Sequence, residues 1–189
     1  VAAKVNGSPC VAHLGKGAAG HYVKMVHNGI EYAIMQLISE TYDLLHRGLG
    51  IENDELHKIY KNWNDGELQS FLVEITRDIF LKPDDKTDNR LVDMILDKAG
   101  SKGTGKWTSQ DAMDLGLPIP VIDMSVSMRE LSAYKDERSR AAAMYKVSTV
   151  DIPVPREVVI QQVHDALYFA TIISYAQGMH LLSRASEEY

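Results

Sequence analysis

A lysine, a histidine, an asparagine and a glutamate occur close together in the segment KMVHNGIEY, at Lys24, His27, Asn28 and Glu31. A lysine whose ammonium group is removed from water has a lowered pKa and can act as a general base near neutral pH. A glutamate shielded from water has a raised pKa and can act as a general acid. Such a pair suits proton transfer next to a carbonyl group.

Helical geometry predicts that these four side chains share one face. At about 100° per residue they fall within a sector of roughly 100°. One turn further on, the same face carries the apolar residues Met35 and Ile38. A solvated face would stay polar, so the pattern favours the wall of a partly dry cleft. Periodicity alone leaves the alternative open, which is a row of ordinary surface charges.

The glycine-rich segment GKGAAG, residues 15–20, satisfies the G-x-G-x-x-G pattern of dinucleotide-binding proteins. Glu40 follows at the spacing expected for the acid that binds the ribose. However, Glu40 falls inside the same predicted helix as Lys24, with no strand between them, and the fingerprint requires a βαβ unit. The pattern therefore favours a tight turn into a helix over a dinucleotide site.

A second glycine-rich segment, GSKGTGK at residues 100–106, is followed by Trp107, where a P-loop needs serine or threonine. It is not interpreted as a nucleoside-triphosphate site. Lys102, Thr104 and Lys106 could still bind a smaller phosphate group, and the alternative is a solvated basic turn. The charged stretch KDERSR, residues 135–140, is interpreted as a solvated helix junction.

The composition bounds the class of protein. The chain has 189 residues, of which 45% are hydrophobic, and this is enough for one sizeable core. A net charge of -6 excludes general attraction to nucleic acid or an anionic membrane. The single cysteine, Cys10, excludes a disulfide framework, and no histidine or cysteine pair has metal-binding spacing. We expect a soluble, cytoplasmic protein that binds no metal.

The elements that must position these residues are mostly helices. A long helix is predicted from residue 21 to about residue 46, and another follows Pro155 and runs almost to Tyr189. RLVDMILDKAG is predicted as a helix that ends at Gly100. The loop GSKGTGKW then leads to Thr108, the predicted N-cap of a short helix. Before the first helix, VAAKV and CVAHL are interpreted as two strand-like pieces.

Five segments, in this order and at plausible spacing, resemble 6-phosphogluconate dehydrogenase: GAAGHYVKMVHNGIEYAIMQLISE, NWNDGELQSFLVEIT, GSKGTGKWT, SVSMRELSAYKDER and ALYFATIISYAQGMHLL. The similarity spans nearly the whole chain. It implies a mainly α fold, namely the all-helical C-terminal-like domain of that family. Residues 1–18 would be the end of the NADP-binding Rossmann domain, a remnant of its last strands. Residues 19–189 would be the helical substrate-binding and dimerisation domain, truncated at its C-terminus.

The resemblance also implies an activity. The family is homodimeric and oxidatively decarboxylates 6-phospho-D-gluconate to D-ribulose 5-phosphate and CO2 with NADP, without metal, in the pentose phosphate pathway. At the matching positions, Lys24 would be the base and Glu31 the acid. His27 and Asn28 would hold the hydroxyl groups and carboxylate of the sugar acid. The residues that would grip the phosphate are Tyr32, Lys102, Thr104 and Arg129.

We expect this chain alone to lack most cofactor contacts and to have little or no activity. The family's Rossmann domain, and a C-terminal tail that lends phosphate-binding residues to the partner subunit, would lie outside it. These residues do not decide between NADP and NAD. Two other functions stay open: a related β-hydroxyacid dehydrogenase with a non-phosphorylated substrate, and a helical interaction module without catalysis. Three converging donors, Lys102, Thr104 and Arg129, favour a phosphorylated substrate over the first of these.

Overall fold

The computed structural model describes residues 2–145 and 153–189. Its elements are β1 (Lys4–Val5), β2 (Ser8–Pro9), α1 (Ala19–Asp43), a π-helical turn (Leu44–Gly48), α2 (Asn53–Asn64), α3 (Phe71–Ile79), α4 (Leu91–Met94), α5 (Thr104–Asp114), α6 (Pro120–Ser132), α7 (Lys135–Met144) and α8 (Arg156–Glu188). The predicted mainly α fold is confirmed. No helix in the described part of the chain is both long and apolar enough to cross a membrane.

Helix α1 lies at the centre of the fold and packs against α5, α6 and α8. Its buried apolar residues recur at helical spacing, so one broad stripe faces the core: Val26, Ile30, Ala33, Ile34 and Ile38. Gly178 of α8 lies directly against Ile30, where any Cβ atom would clash with the isoleucine side chain. This glycine therefore permits the close approach of α8 to α1.

Helices α2 and α3 pack together beside the C-terminal half of α1 and bury an aromatic cluster. The ring centroids of Tyr60 and Trp63 are 4.7 Å apart, and those of Tyr60 and Phe80 are 5.2 Å apart. The hydroxyl group of the fully buried Tyr60 lies 2.8 Å from Thr41 Oγ1, so its polar end is satisfied. This cluster fixes the part of α1 that follows the polar stripe.

The predicted long helices are confirmed as α1 and as α8, which follows Pro155 directly. The strand-like pieces are only partly correct. β1 and β2 form a two-residue antiparallel hairpin around Asn6 and Gly7, both with positive φ, and residues 11–15 have no regular structure. An apolar run without a neighbouring strand gains no ladder of hydrogen bonds, so the second piece stays irregular.

Two predictions around the second glycine-rich segment are wrong. The helix predicted to end at Gly100 is the single turn α4, and Ile95 already has an extended backbone. Helix α5 begins at Thr104, directly after Gly103 with its φ of 100°, and not after Thr108. Thr108 is buried inside α5, where its hydroxyl group lies within hydrogen-bonding distance of two carbonyl oxygens, that of Met25 on α1 at 3.0 Å and that of Thr104 at 2.9 Å. A contact between helices therefore uses the side chain that was expected to cap one.

Candidate active site

The four polar residues of the opening motif lie on α1, as predicted. His27 Nε2 and Glu31 Oε2 are 3.2 Å apart, which confirms that these two residues share a face. Asn28 and Glu31 are half-buried, whereas Lys24 and His27 are exposed. The prediction that the lysine and the glutamate together line a partly dry cleft is wrong for Lys24, whose side chain is open to solvent. Glu31 is partly shielded and lies on a groove between α1, α3 and α8.

Helix α5 crosses α1 at very short range because each helix carries a glycine at the crossing. A Cβ atom on Gly105 would lie 2.5 Å from Tyr32 Cδ2, and one on Gly29 would lie 2.8 Å from Thr108 Cγ2. Real Cβ atoms do not approach other atoms this closely, so both positions require glycine. The crossing fixes the beginning of α5 beside the polar stripe of α1.

This crossing brings Thr104 to Asn28. The side-chain amide of Asn28 donates a hydrogen bond to Thr104 Oγ1 at 3.2 Å. Thr104 is also the first residue of α5, and the unpaired backbone N–H groups at the start of a helix favour an anion. Asn28 of the polar stripe therefore lies next to the N-terminus of α5, which can bind a phosphate or carboxylate group.

Arg129 of α6 reaches the same place. Its guanidinium carbon lies 3.9 Å from the centroid of the Tyr32 ring, a cation–π arrangement. Its Nη1 donates to the carbonyl of Gly100 at 2.8 Å. Asn28, Tyr32, Thr104 and Arg129 are thus brought together by contacts between α1, α5 and α6, as the sequence-based hypothesis requires.

Lys102 stands between Gly100 and Gly103, and its side chain is exposed. Its position next to Thr104 gives the start of α5 a second cationic group besides Arg129. Lys106 is exposed on the first turn of α5. A row of surface lysines alone would fit the solvated-turn alternative, but the contacts of Thr104 and Arg129 favour a built anion site.

Two grooves flank the polar stripe. The first has a volume of about 770 Å³ and is lined by Tyr32, Met35 and Arg129, among other residues. The second has a volume of about 400 Å³ and lies between α1, α3 and α8, with His27, Glu31 and Ile38 on its wall. Arg129 therefore lies on the first groove, and the candidate acid Glu31 lies on the second.

Sequence reasoning missed the residues that hold the segment before α5. The stretch interpreted as a solvated helix junction supplies Lys135 and Arg138, and both form ion pairs with Asp97. Ser132 bonds to the backbone of Ala99. Asp97 and Arg138 are 41 residues apart, and no local pattern indicates such a pairing.

The predicted turn at GKGAAG is confirmed. Gly15 and Gly17 have φ values of 134° and 59°, and the chain then enters α1 at Ala19. Glu40 lies in α1, as expected, and its side chain accepts a hydrogen bond from Gln36. Within the described ranges the only strands are the short hairpin β1–β2, so these residues do not fit the pyrophosphate of a dinucleotide.

Comparisons with known proteins agree with this geometry. The sequence profile of the family described as "6-phosphogluconate dehydrogenase, C-terminal domain" matches residues 20–189. The NADP(+)-dependent, decarboxylating 6-phosphogluconate dehydrogenase of Bacillus subtilis is 54% identical over 190 residues, and the decarboxylating enzyme of Lactococcus lactis subsp. cremoris is 53% identical over 191 residues. Each alignment covers 100% of this chain and 40% of the relative.

A solved structure is similar as well. The 6-phosphogluconate dehydrogenase of Plasmodium falciparum superposes with a TM-score of 0.93 at 45% sequence identity, covering 98% of this chain and 40% of that one. That enzyme has been described in its apo form, with its cofactor NADP+ and with its substrate 6-phosphogluconate. The chain thus spans about 40% of the length of the relatives that it matches. It belongs to the 6-phosphogluconate dehydrogenase family, within the part described as the C-terminal domain.

Proposed function

We propose that the complete protein oxidatively decarboxylates 6-phospho-D-gluconate to D-ribulose 5-phosphate and CO2 with reduction of NADP, in the pentose phosphate pathway. The observation that carries this proposal is the convergence of Thr104 and Arg129 on the α1 face that bears Asn28 and Tyr32. Relatives with this activity in their names, and a solved relative that binds 6-phosphogluconate, support it.

Lys24 is the proposed base. Its side-chain amine accepts the proton of the substrate's 3-hydroxyl group while C3 is oxidised to a carbonyl, a step for which NADP, when bound to the complete protein, would supply the acceptor of the hydride from C3. The resulting ammonium group then returns a proton to the carbonyl oxygen as CO2 leaves, which yields an enediol. Lys24 is exposed in this chain, so the removal from water that a lysine base requires would come from the bound substrate and from the other parts of the complete protein.

Glu31 is the proposed acid that protonates the enediol at the carbon that becomes C1 of ribulose 5-phosphate, while the Lys24 amine takes the proton of the C2 hydroxyl group as the ketone forms. It lies on the second groove, half-buried beside His27. His27 and Asn28 are proposed to bind the hydroxyl groups and the carboxylate of the sugar acid. Asn28 is well placed for this role because its amide already points to the beginning of α5.

The phosphate group is proposed to bind between the beginning of α5 and the place where Arg129 lies over the Tyr32 ring, at the edge of the first groove. The donors would be Thr104 at the start of α5, the Arg129 guanidinium, the Tyr32 hydroxyl and the Lys102 ammonium group. Charge-assisted hydrogen bonds of this kind are the strong ones in phosphate recognition. A β-hydroxyacid dehydrogenase with a non-phosphorylated substrate would have no use for these groups together.

The described residues offer no dinucleotide fold, so we place the main NADP contacts in the rest of the complete protein. Residues 1–18 are proposed to end the NADP-binding domain, and residues 19–189 to form a substrate-binding and dimerisation domain. The beginning of α1 at Ala19 and of the family match at residue 20 support this boundary. The chain alone should have little or no activity. Absence of a metal requirement and a cytoplasmic location remain predictions.

We propose that the complete protein is a homodimer in which a second protomer covers the outer face of α8. This face is apolar but exposed, with Phe169 at 65%, Tyr175 at 49% and Met179 at 57%. Monomers rarely expose contiguous apolar patches, and a second protomer would remove this one from water. The apolar face of α8 also borders the groove that is lined by Glu31, so a partner protomer at this face would cover that groove.

The proposed activity is tested by incubating the complete protein with 6-phosphogluconate and NADP and measuring NADPH and CO2 together. We expect equal amounts of the two products, and little or none with the isolated chain. A complete protein that forms neither product would overturn the proposal. Comparing the rates with NAD and with NADP measures the cofactor preference. Adding a chelator to the same assay tests the expectation that no metal is needed.

A further inference from the structure

The segment that joins α4 to α5, residues 95–103, carries Lys102 and leads into Thr104. It has no regular structure, and residues 95–102 are exposed. An exposed segment of this kind normally samples many conformations, and ordering it on binding costs conformational entropy. Here, however, three residues of its first half, Asp97, Ala99 and Gly100, form hydrogen bonds or ion pairs with α6 and α7.

The first of these contacts is made by Asp97. Its carboxylate lies 2.6 Å from Lys135 Nζ and 2.8 Å from Arg138 Nη1, and Arg138 Nη2 donates to the backbone carbonyl of Asp97 at 3.0 Å. The same Nη2 donates to the carbonyl of Ser132 at 3.0 Å. Hydrogen bonds from Arg138 and Lys135 hold the pKa of the Asp97 carboxyl group well below its usual range. The carboxylate therefore stays charged throughout the neutral range.

The second and third contacts are made by the backbone of Ala99 and Gly100. The backbone N–H of Ala99 donates to Ser132 Oγ at 2.9 Å. The carbonyl of Gly100 accepts from Arg129 Nη1 at 2.8 Å. Arg129 is itself a proposed phosphate ligand, so the end of the tied segment and one ligand are held by the same contact.

The other end of the segment is fixed by the crossing of α5 over α1. Gly105 lies against Tyr32, and the Thr108 hydroxyl bonds to Met25. Only residues 101–103 lie between the two fixed points, and Lys102 is the middle one. The position of the Lys102 ammonium group is therefore limited by how firmly both ends are held.

We propose that Asp97, with Arg138 and Lys135, is a positioning unit for the phosphate-binding segment. This inference rests on the proposed function. The three side chains set the position of Lys102 and of the Gly100–Arg129 contact without touching the substrate. They pre-organise the phosphate site. Their loss therefore lowers the affinity for substrate and leaves the rates of proton transfer at Lys24 and Glu31 unchanged.

The test uses Asp97→Asn in the complete protein, which removes the negative charge and keeps the size of the side chain. We expect the KM for 6-phosphogluconate to rise about fivefold, the scale of an exposed ion-pair network, with kcat and the KM for NADP each within about twofold. Arg138→Lys should raise the same KM. The double variant should fall short of the product of the two single effects, because both break one network.

Asp78→Asn is the matched control. Asp78 is as exposed as Asp97 and pairs with Arg77 at 2.7 Å, but it lies on α3 and away from the phosphate-binding segment. It should leave all three kinetic constants unchanged. Should Asp97→Asn fail to fold, Lys135→Met removes one cation of the network and should give a smaller rise in the KM for 6-phosphogluconate.

The outcomes separate the two proposals. An active wild-type protein whose Asp97→Asn variant keeps its KM for 6-phosphogluconate would overturn the positioning role and leave the proposed function intact. Parallel losses in kcat and in both KM values would show a general structural role and would overturn it as well. A complete wild-type protein without any activity would remove the proposed function and this inference with it.

Discussion

Asn28 on α1 and Thr104 at the beginning of α5 are joined by a hydrogen bond of 3.2 Å between Asn28 Nδ2 and Thr104 Oγ1, although 76 residues separate them. The bond connects the polar stripe of α1 to the element proposed to hold phosphate. It exists because glycines at positions 29 and 105 let the two helices approach closely. Packing of two helices thus assembles a site that neither forms alone.

Thr104→Val in the complete protein should lower kcat/KM for 6-phosphogluconate about tenfold, since one hydrogen-bonding hydroxyl group is lost at the phosphate site. Thr104→Ser keeps that group and should stay within about twofold of the wild type. Steady-state kinetics on both variants measure the difference. Equal losses in the two variants would show that the methyl group, and not the hydroxyl group, matters at this position.

Gly105→Ala should destabilise the fold, because the new Cβ atom would meet the Tyr32 ring at 2.5 Å. Overpacking of this kind costs about 1–3 kcal/mol in the free energy of unfolding, which denaturant titration measures. Gly66→Ala is the control, since a Cβ atom there has its nearest neighbour at an ordinary 3.7 Å. If Gly105→Ala unfolds at the same denaturant concentration as the wild type, the described helix crossing is incorrect.

Alkaline pH should destabilise the protein through the fully buried Tyr60 and the half-buried Tyr22. Burial raises the pKa of Tyr60, and burial followed by the hydrogen bond to Asp111 raises the pKa of Tyr22. Above a pH of about 10 the unfolded chain loses these protons and the folded chain keeps them, so the free energy of unfolding falls as pH rises. Below that pH both states are protonated, and these groups cause no pH dependence.

Tyr60→Phe should reduce that slope by the contribution of one proton, which denaturant titrations at several alkaline pH values measure. It should also cost about 1 kcal/mol at neutral pH, because Thr41 Oγ1 keeps the Ile38 carbonyl but loses the Tyr60 hydroxyl as a partner. An unchanged alkaline slope in Tyr60→Phe would show that Tyr60 does not titrate in this way.

Phe169→Glu should weaken the proposed dimer, because it places a charge on the exposed apolar face of α8. Sedimentation equilibrium of the complete protein measures the effect as a shift towards monomer. Met113→Glu is the control, since Met113 is 67% exposed but lies on α5. A wild-type protein that is monomeric, or a variant that dimerises equally well, would refute the proposed interface.

The long helices and the polar stripe could be predicted from the sequence because both follow from the helical repeat. The apolar spacing from Val26 to Ile38 defines the buried face of α1, and the spacing from Lys24 to Glu31 defines the polar face. The family resemblance then assigned roles that periodicity cannot assign. These roles remain proposals for this chain.

The beginning of α5 could not be predicted, because it depends on contacts distant in sequence. Thr108 has the residue type and the neighbours of an N-cap, yet its hydroxyl group contacts the Met25 carbonyl of α1. The network around Asp97 was missed for the same reason: a charged junction such as KDERSR is usually solvated, and its partner lies 41 residues earlier. Local patterns identify candidate groups, and tertiary packing decides which of them meet.

The central claim is that α1 supplies the base of the reaction, and Lys24→Met in the complete protein tests it most directly. The variant keeps the length of the side chain and removes its proton acceptor, with Lys16→Met as a control at another exposed lysine. We predict that kcat falls at least about a hundredfold, while the unfolding transition and calorimetric binding of 6-phosphogluconate change little. A Lys24→Met protein that turns over 6-phosphogluconate at the wild-type rate would contradict the account and favour a helical domain without catalysis.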